Sequence, residues 1–438
     1  MSNQQFLNRS LASVWHPCTQ MKQHESMPLI PIKSGAGVWL TDFEGKRYLD
    51  AVSSWWVNLF GHNNPKIKDA IKQQLDSLEH VILAGFTHEP VVELSEKLAA
   101  LTGLGHAFYA SDGASATEIA LKMSFHYWRN TDKPNKTKFI SLQNSYHGET
   151  LGALSVTDVA IFKDTYASLL RQSAQMPSPD FRLAELGESA EAYALRCANV
   201  LEAYVSEHHA ELAAFIIEPL VQCASGMGMY HPVYLIRARE ICSQYRIHLI
   251  TDEIAVGFGR TGTMFACEQA DVLPDFICLS KGITGGYLAL SAVLTTDEIY
   301  AAFYHDSTAR GFLHSHSYTG NPLACCAALA TLAIFEADNV LENNRKKSAY
   351  INTKMQAFNY LPIKYLRDIG MIFAFDVMTK NKQFQQQFYT AALVQGLLLR
   401  PIGNTVYFMP PYIICEAEID YLVNHTVKII TELTQISE

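Results

Sequence analysis

Lys281 stands at the end of an apolar, strand-type run, Phe276 to Leu279, and glycines follow it at positions 282, 285 and 286. A lysine at the end of a buried strand is costly unless its charge is neutralised or used. Burial lowers the pKa of a lysine, and such an amine can attack a carbonyl carbon. The glycines let a cofactor approach the backbone. Lys281 is therefore a candidate to hold a carbonyl-bearing cofactor, although a surface lysine is the commoner explanation of this stretch alone.

Two other segments place useful groups where predicted strands end. Asp252 follows an apolar run, and a turn containing Gly113 and Ala114 joins the predicted strand His106–Ala110 to a helix. Free amides at the start of a helix bind anions, typically phosphate. A carboxylate can keep a pyridine nitrogen protonated. A lysine, an acidic group and a phosphate turn together predict a pyridoxal phosphate site, with three coincidental strand-end features as the alternative.

Helices and strands alternate from about residue 65 to residue 344, which predicts a mainly parallel sheet covered by helices. The carboxyl ends of parallel strands meet at one edge, so Asp252 and Lys281 are expected there together. The predicted strands are His106–Ala110, Lys138–Leu142, Ala213–Glu218, Ile247–Thr251, Phe276–Leu279 and Leu290–Leu294. The predicted helices include Pro65–Leu78, Val91–Leu101, Ala190–His208, Tyr234–Tyr245 and one from Pro322 to about Asn344.

The two ends of the chain have a different pattern. Strands are predicted at Gly37–Asp42 and Arg47–Asp50, and further strand pieces, Leu397–Pro401 and Val406–Met409, flank the turn Ile402–Thr405. We therefore expect residues 66–344 to form a large α/β domain and residues 345–438 a smaller α+β domain. Residues 1–65 are expected to pack with the smaller domain, because their strands have no other obvious sheet.

Composition excludes several classes of protein. The 438 residues are 49% hydrophobic and 18% charged, with a net charge of -9 and no basic stripe, which argues against nucleic-acid binding. Nine cysteines without a C-x-x-C pair favour reduced, buried thiols. His314 and His316 lack nearby metal-ligating partners, so no metal site is expected. With no signal-peptide pattern and no apolar run of about 18 residues, we expect a cytoplasmic protein without membrane spans.

The segment Thr251–Gly262, T-D-E-I-A-V-G-F-G-R-T-G, followed by Ser280-Lys281-Gly282, resembles the signature of the class III, fold-type I aminotransferases. The resemblance implies an α/β, fold-type I pyridoxal-phosphate-dependent transferase that acts as a homodimer with shared sites. It implies catalytic roles for Lys281, Asp252 and Tyr146, with Ser317 reaching the neighbouring subunit's phosphate. The implied cofactor-binding set is Gly113, Ala114, Tyr146, Asp252, Ile254, Lys281, His316 and Ser317.

Further segments are similar to family members that act in biotin synthesis, namely Trp15-His16-Pro17, Ser53-Ser54-Trp55-Trp56 and Leu399-Arg400-Pro401. This likeness implies transfer of an amino group from S-adenosylmethionine to 8-amino-7-oxononanoate. It implies that Arg400 binds the substrate carboxylate, a task suited to a fork of donors, while two tryptophans line the aliphatic chain. The implied substrate-binding set is Cys18, Trp55, Trp56, Tyr146, Ser315, Arg400 and Tyr407.

The choice of amino donor depends on two positions. Glutamate-using relatives carry Gln-Gly-Glu after the Glu-Pro strand and an arginine before the final Pro-Pro, whereas this chain has Gln222-Cys223-Ala224 and Tyr407. A neutral floor and a tyrosine suit a cationic sulfonium donor better. A lysine donor stays open, as do an omega-amino-acid aminotransferase and a non-catalytic cofactor-binding protein. Cys18 stands where the best-known members have a pocket tyrosine, which leaves the substrate contacts at the pocket mouth open. Glu149 stands where they have an aspartate, and this change is expected to alter only a contact behind the substrate-binding residues.

Overall fold

The computed structural model describes residues 2–27 and 29–435. The chain divides into two compact units: a large unit, Lys66–Glu342, and a small unit made of Met1–Pro65 and Asn343–Glu438.

In chain order the strands are β1 Ile32–Ala36, β2 Trp39–Asp42, β3 Arg47–Asp50, β4 His106–Ala110, β5 Lys138–Leu142, β6 Ala174–Met176, β7 Leu212–Ile217, β8 Val221–Gln222, β9 Gly228–Met229, β10 His248–Asp252, β11 Phe276–Leu279, β12 Ser291–Thr295, β13 Ile363–Ile369, β14 Ile372–Val377, β15 Leu397–Leu398 and β16 Thr405–Phe408. The helices are α1 Asn3–Ser13, the single turn α2 Ser53–Trp56, α3 Pro65–Leu75, α4 Glu89–Thr102, α5 Gly113–Asn130, α6 Leu151–Val156, α7 Ala160–Lys163, α8 Ala190–His208, α9 Val233–Gln244, α10 Asp297–Ala301, α11 Pro322–Ala337, α12 Val340–Met355, α13 Phe384–Val394 and α14 Glu416–Gln435.

A seven-stranded sheet forms the centre of the large unit, in the order β4-β12-β11-β10-β7-β5-β6. β10 is parallel to its neighbours β11 and β7, and β12 is antiparallel to β11 and β4. Because β7 and β11 are buried along their whole length, their sequences are apolar without alternation. β10 and β12 are also fully buried and carry polar residues only at their ends. The mainly parallel sheet predicted from the sequence is confirmed. Asp252 pairs with Cys278 in this sheet, so it lies at the same edge as Lys281.

Helix α5 covers the site-bearing part of this sheet. Its buried face packs on side chains of β7, β10 and β11, so the start of the helix is fixed against the edge where Asp252 lies. The residues that form this contact are Ala116, Ile119, Ala120 and Met123 on the helix and Ala214, Ile216, Ile250, Phe276 and Cys278 on the strands.

The single helix predicted from Pro322 to about Asn344 is wrong, because α11 ends at Ala337 and α12 begins at Val340. Asn339 lies between them with a φ of 46°. Asparagine tolerates this left-handed conformation, which ends an α-helix as glycine does. Within the described part of the chain, no single helix is long and apolar enough to cross a membrane, and the bent pair 322–337 and 340–360 meets those criteria only jointly.

The small unit contains two sheets, in the orders β1-β2-β3-β15 and β13-β14-β16. The two strand pieces predicted around the turn Ile402–Thr405 do not form a hairpin with each other. β15 runs parallel to β3, whereas β16 pairs with β14. The carboxyl-terminal segment therefore connects residues 32–50 to the rest of the small unit. In the sequence, Arg400 lies between β15 and β16, the strands that join the two different sheets.

Candidate active site

Lys281 begins a short helical turn, Lys281–Thr284, immediately after the buried strand β11. Its φ is 43°, and Ser280 fixes the strand end by donating a hydrogen bond to the carbonyl oxygen of Leu290 at 2.9 Å. Burial lowers the pKa of Lys281, while the nearby Asp252, Cys223 and Glu218 oppose this shift. A buried amine with a lowered pKa is a nucleophile, which is the chemistry expected of this residue.

Asp252, the last residue of β10, is 4% exposed and accepts two hydrogen bonds. The imidazole Nδ1 of His147 lies 2.7 Å from Oδ2, and the backbone N–H of Ile254 donates to Oδ1 at 3.1 Å. His147 is buried, and its Nε2 has no hydrogen-bond partner among the described residues. A buried carboxylate held from both sides is suited to stabilise a positive charge on a bound ring nitrogen.

Glu218 is a second buried carboxyl group near Lys281. It accepts the backbone N–H of Tyr146 at 3.0 Å and that of Cys223 at 3.3 Å. Burial raises the pKa of Glu218 to about 7, with His147 acting against the rise and Asp252 adding to it. Sequence analysis missed the roles of His147 and Glu218. Only their positions in the sequence could have indicated them. His147 follows Tyr146 in the loop after β5, and Glu218 precedes Pro219 at a strand end.

Tyr146 is held in the loop after β5 by polar and aromatic contacts. Its hydroxyl donates to Glu149 Oε1 at 2.8 Å, and its ring meets that of Phe162 edge-on, with centroids 5.4 Å apart. Glu149, which departs from the family pattern, is therefore the group that fixes the Tyr146 hydroxyl.

The turn before α5 has the features of an anion cradle. Asp112 caps the helix by accepting the Ser115 N–H at 2.9 Å, and no described residue accepts the N–H of Gly113 or Ala114. A Cβ on Gly113 would lie 3.0 Å from the side chain of Ile254, so only glycine fits this close approach without displacing it. Two free amides therefore lie next to the Asp252 edge of the sheet. These amides, the buried amine of Lys281 and the carboxylate of Asp252 fit pyridoxal phosphate.

The segment His314–Thr319 lies beside this cradle. The Ser111 hydroxyl is 2.9 Å from His316 Nε2, and His316 Nδ1 accepts the N–H of Tyr318 at 3.1 Å. His314 has a different environment, because its Nδ1 is 2.8 Å from the Lys122 amine. The structure thus brings His316 next to the cradle. Ser315 and Ser317 are exposed and form no hydrogen bond through their side chains among the described residues.

In the small unit, the predicted substrate-binding residues form two sets of contacts, Trp56 with Tyr407 and Arg400 with Trp55 and Cys18. Trp56 is 5% exposed and its indole N–H donates to the Tyr407 hydroxyl at 3.2 Å, whereas Trp55 is 46% exposed. The Arg400 guanidinium carbon lies 5.0 Å from the Trp55 ring centroid, and one Arg400 nitrogen lies 3.5 Å from the carbonyl oxygen of Cys18. Among the described residues, no carboxylate pairs with Arg400. An exposed cation on an aromatic platform is suited to receive a ligand carboxylate.

The positions that would carry a charge switch, Ala224 and Tyr407, hold neutral residues. Gln222, two residues before Ala224, also contacts neutral groups. The amide of Gln222 accepts a hydrogen bond from the Ser178 hydroxyl and donates to the carbonyl oxygen of Gln143 at 2.9 Å. The Tyr407 hydroxyl accepts from Trp56. Both side chains are therefore fixed by neutral partners in their own units.

Comparisons with known proteins give one family. The aminotransferase class-III profile matches residues 20–430. An adenosylmethionine-8-amino-7-oxononanoate aminotransferase of Helicobacter pylori is 49% identical over 431 residues, covering 97% of each chain. The crystal structure of the enzyme of that name from Methanocaldococcus jannaschii has a TM-score of 0.92 at 35% identity and covers 98% of this chain and 99% of that chain. An amine transaminase from an uncultivated Pseudomonas species, in its PLP-bound form, has a TM-score of 0.90 at 31% identity and covers 96% of this chain and 98% of that chain.

The profile and the relative each match nearly the whole chain, including Lys281, Asp252 and the Gly113–Ala114 turn. The chain therefore belongs to the class III aminotransferases.

Proposed function

We propose that this protein transfers an amino group from S-adenosylmethionine to 8-amino-7-oxononanoate, giving 7,8-diaminononanoate in biotin synthesis, with pyridoxal phosphate as cofactor. The observation that carries the proposal is the exposed Arg400 guanidinium, stacked on Trp55 and without a carboxylate partner among the described residues. The name of the 49% identical relative supports the same substrates.

The residues that would hold the cofactor come from several strand ends. Lys281 would bind its carbonyl carbon, Asp252 would face its ring nitrogen, and Gly113 with Ala114 would give amides to its phosphate. Ile254 and Tyr146 would lie on the two ring faces, and His316 stands beside the cradle. When bound, pyridoxal phosphate supplies a carbonyl carbon for the amine and an electron sink for the reacting carbon.

The chain's own groups divide the remaining work. The Lys281 Nζ would act as the base that takes the proton from the donor's α-carbon, because burial lowers its pKa. Asp252, held by His147 at 2.7 Å, would place its carboxylate opposite the ring nitrogen. Donor and acceptor use the same lysine in turn, so we expect ping-pong kinetics.

Substrate selection follows from the small unit and from the neutral switch positions. Arg400 would bind the carboxylate of the oxo acid, Trp55 and Trp56 would line its aliphatic chain, and Cys18 would stand at the mouth. Neutral residues at Ala224 and Tyr407, where glutamate-using relatives carry a glutamate and an arginine, favour a cationic donor over a dicarboxylate. Lysine as the donor is the alternative that the experiment must separate.

The test supplies the purified protein with 8-amino-7-oxononanoate and either S-adenosylmethionine or lysine, and quantifies diaminononanoate by mass spectrometry. We expect product with S-adenosylmethionine, and we expect the visible absorbance of the bound cofactor to fall when this donor is added alone. Product formed with lysine but not with S-adenosylmethionine would show that the protein uses lysine as its amino donor. No product with either donor would refute the assigned acceptor reaction.

We also propose a homodimer in which Ser317 reaches the partner's cofactor phosphate. Ser317 is exposed. The apolar side chains of Leu313, Tyr318 and Phe86 are 73%, 62% and 63% exposed, and a second subunit would cover side chains of this kind. Light scattering measures the mass. Mixing Lys281→Ala with Ser317→Ala should restore turnover, because one site of the hybrid would carry neither change.

The nine unpaired cysteines, mostly buried, support a cytoplasmic location.

A further inference from the structure

The turn that carries the two tryptophans has an unusual backbone. Ser53, Ser54, Trp55 and Trp56 have φ values of 50°, 48°, 74° and 73°, so four successive residues with side chains adopt the left-handed conformation. L-residues avoid this conformation, and a run of four persists only where surrounding groups hold it. Strain of this kind concentrates at binding sites.

Asp50 is the group that holds this turn. Its side chain is fully buried, and its carboxylate accepts the Ser54 N–H at 2.9 Å and the Ser54 hydroxyl at 2.7 Å. His62 Nε2 lies 3.0 Å from the same carboxylate. A hydrogen bond from the Ser53 hydroxyl to the carbonyl oxygen of Met409, at 2.7 Å, anchors the start of the turn.

His62 is itself fixed on the side opposite Asp50. Its backbone exchanges two hydrogen bonds with Gly37, at 3.1 and 2.7 Å, and a Cβ on Gly35 would lie 2.7 Å from the His62 Cβ. The Asn58 amide nitrogen lies 3.2 Å from Nδ1. An amide NH2 only donates, so Nδ1 accepts and the Nε2–H points to Asp50.

The held turn separates the two tryptophans. Trp56 points into the small unit, where it bonds Tyr407, while Trp55 is 46% exposed under the Arg400 guanidinium. A turn that relaxed to right-handed backbone would change the direction of both side chains, because Cβ directions follow φ and ψ. The Trp55 platform would then leave Arg400.

We propose that Asp50 and His62 are positioning residues that hold the left-handed turn and so keep Trp55 under Arg400 as the binding site for the acceptor's carboxylate. This inference rests on the proposed function, in which Arg400 binds that carboxylate. It predicts that damage to the Asp50–His62 pair affects the acceptor half-reaction and spares the donor half-reaction.

The experiment compares Asp50→Asn with Asp42→Asn, alone and in a Trp55→Ala background. Asp42 is a matched control, because it is also a buried aspartate of the small unit that accepts several hydrogen bonds, from Glu44, Lys46 and Asn3. We expect Asp50→Asn to raise the KM for the oxo acid about tenfold and to change the donor half-reaction less than twofold. In the Trp55→Ala background the same change should have no further effect.

A second readout does not depend on turnover. With 5-fluorotryptophan incorporated at the five tryptophans, the 19F resonance assigned by Trp55→Phe should shift in Asp50→Asn and stay in place in Asp42→Asn. If Asp50→Asn does not fold, His62→Ala and His62→Gln replace it, and glutamine, which keeps a donor, should recover most of the effect.

Three results would overturn the inference: an unchanged Trp55 resonance, an equal loss in the Trp55→Ala background, or parallel losses in both half-reactions. Failure of the proposed function is distinguishable, because the wild type would then give no product from the oxo acid while the 19F comparison still reports on the turn.

Discussion

Removal of the Arg400 guanidinium is expected to weaken binding of the oxo acid and to leave reaction with the amino donor unchanged. Arg400 is the exposed cation of the small unit that lies on Trp55, and its described contacts leave it without an anionic partner. One charge-assisted hydrogen bond to a carboxylate contributes about 1.5–3 kcal/mol, which corresponds to a rise of roughly 10- to 150-fold in the dissociation constant.

The assay follows the two half-reactions separately by stopped-flow absorbance and reads acceptor affinity from saturation. The Arg400→Ala variant should need at least a tenfold higher concentration of the oxo acid to reach half-saturation. Arg400→Lys should fall between it and the wild type, because lysine keeps the charge and loses the planar fork. Arg47→Ala is the matched control, since Arg47 lies 4.4 Å from the Trp39 ring in the same unit. Equal saturation of Arg400→Ala and the wild type would refute the assigned role, and so would an equal loss in the donor half-reaction.

Three further outcomes test the large unit. Lys281→Ala should lose the visible absorption of the bound cofactor and roughly 10²–10⁴-fold or more in turnover, and a variant that keeps both excludes the assignment. His147→Phe removes the hydrogen-bond donor 2.7 Å from Asp252 and should slow both half-reactions roughly 10- to 150-fold. His147→Asn keeps a donor and should lose less activity. Similar rates in the two variants would contradict the assigned role of His147. Burial lowers the pKa of His248 from 6.5 to about 3. The contribution of His248 to the free energy of unfolding is therefore complete above pH 6.5 and declines as the pH falls below that value. Between about pH 7.5 and pH 5, His248 should reduce the free energy of unfolding by about 2 kcal/mol; urea unfolding of His248→Phe should lack this part of the slope, and equal slopes would rule it out.

The sequence alone located the elements that follow local rules. β4, β5, β11 and α8 have the predicted bounds, because runs of apolar residues between polar turns define them without help from distant contacts. Lys281 and Asp252 became candidate site residues for the same reason, since each stands at the end of such a run. The parallel order of the strands then placed both at one edge.

Contacts between distant residues were decided only by the tertiary structure. His147 and Asp252 are 105 residues apart in sequence, and nothing local to either indicates the pairing. Glycine is needed at position 113 because the side chain of Ile254, which follows another strand, lies close to it. A Cβ added at Gly113 would be only 3.0 Å from that side chain. The strand pieces on either side of Ile402–Thr405 join different sheets because each finds its partner far away in sequence.

The tryptophan pair shows the same division. From the sequence, adjacent tryptophans predicted only that one could pack in the core while the other faced a cleft. The backbone of residues 53–56 adopts an unfavourable left-handed conformation that no local propensity would select. It exists because Asp50, His62 and Met409 supply hydrogen bonds that only the folded small unit brings together. Residue types thus indicated which chemistry the chain could carry, and long-range hydrogen bonding decided where the backbone places Trp55 beside Arg400.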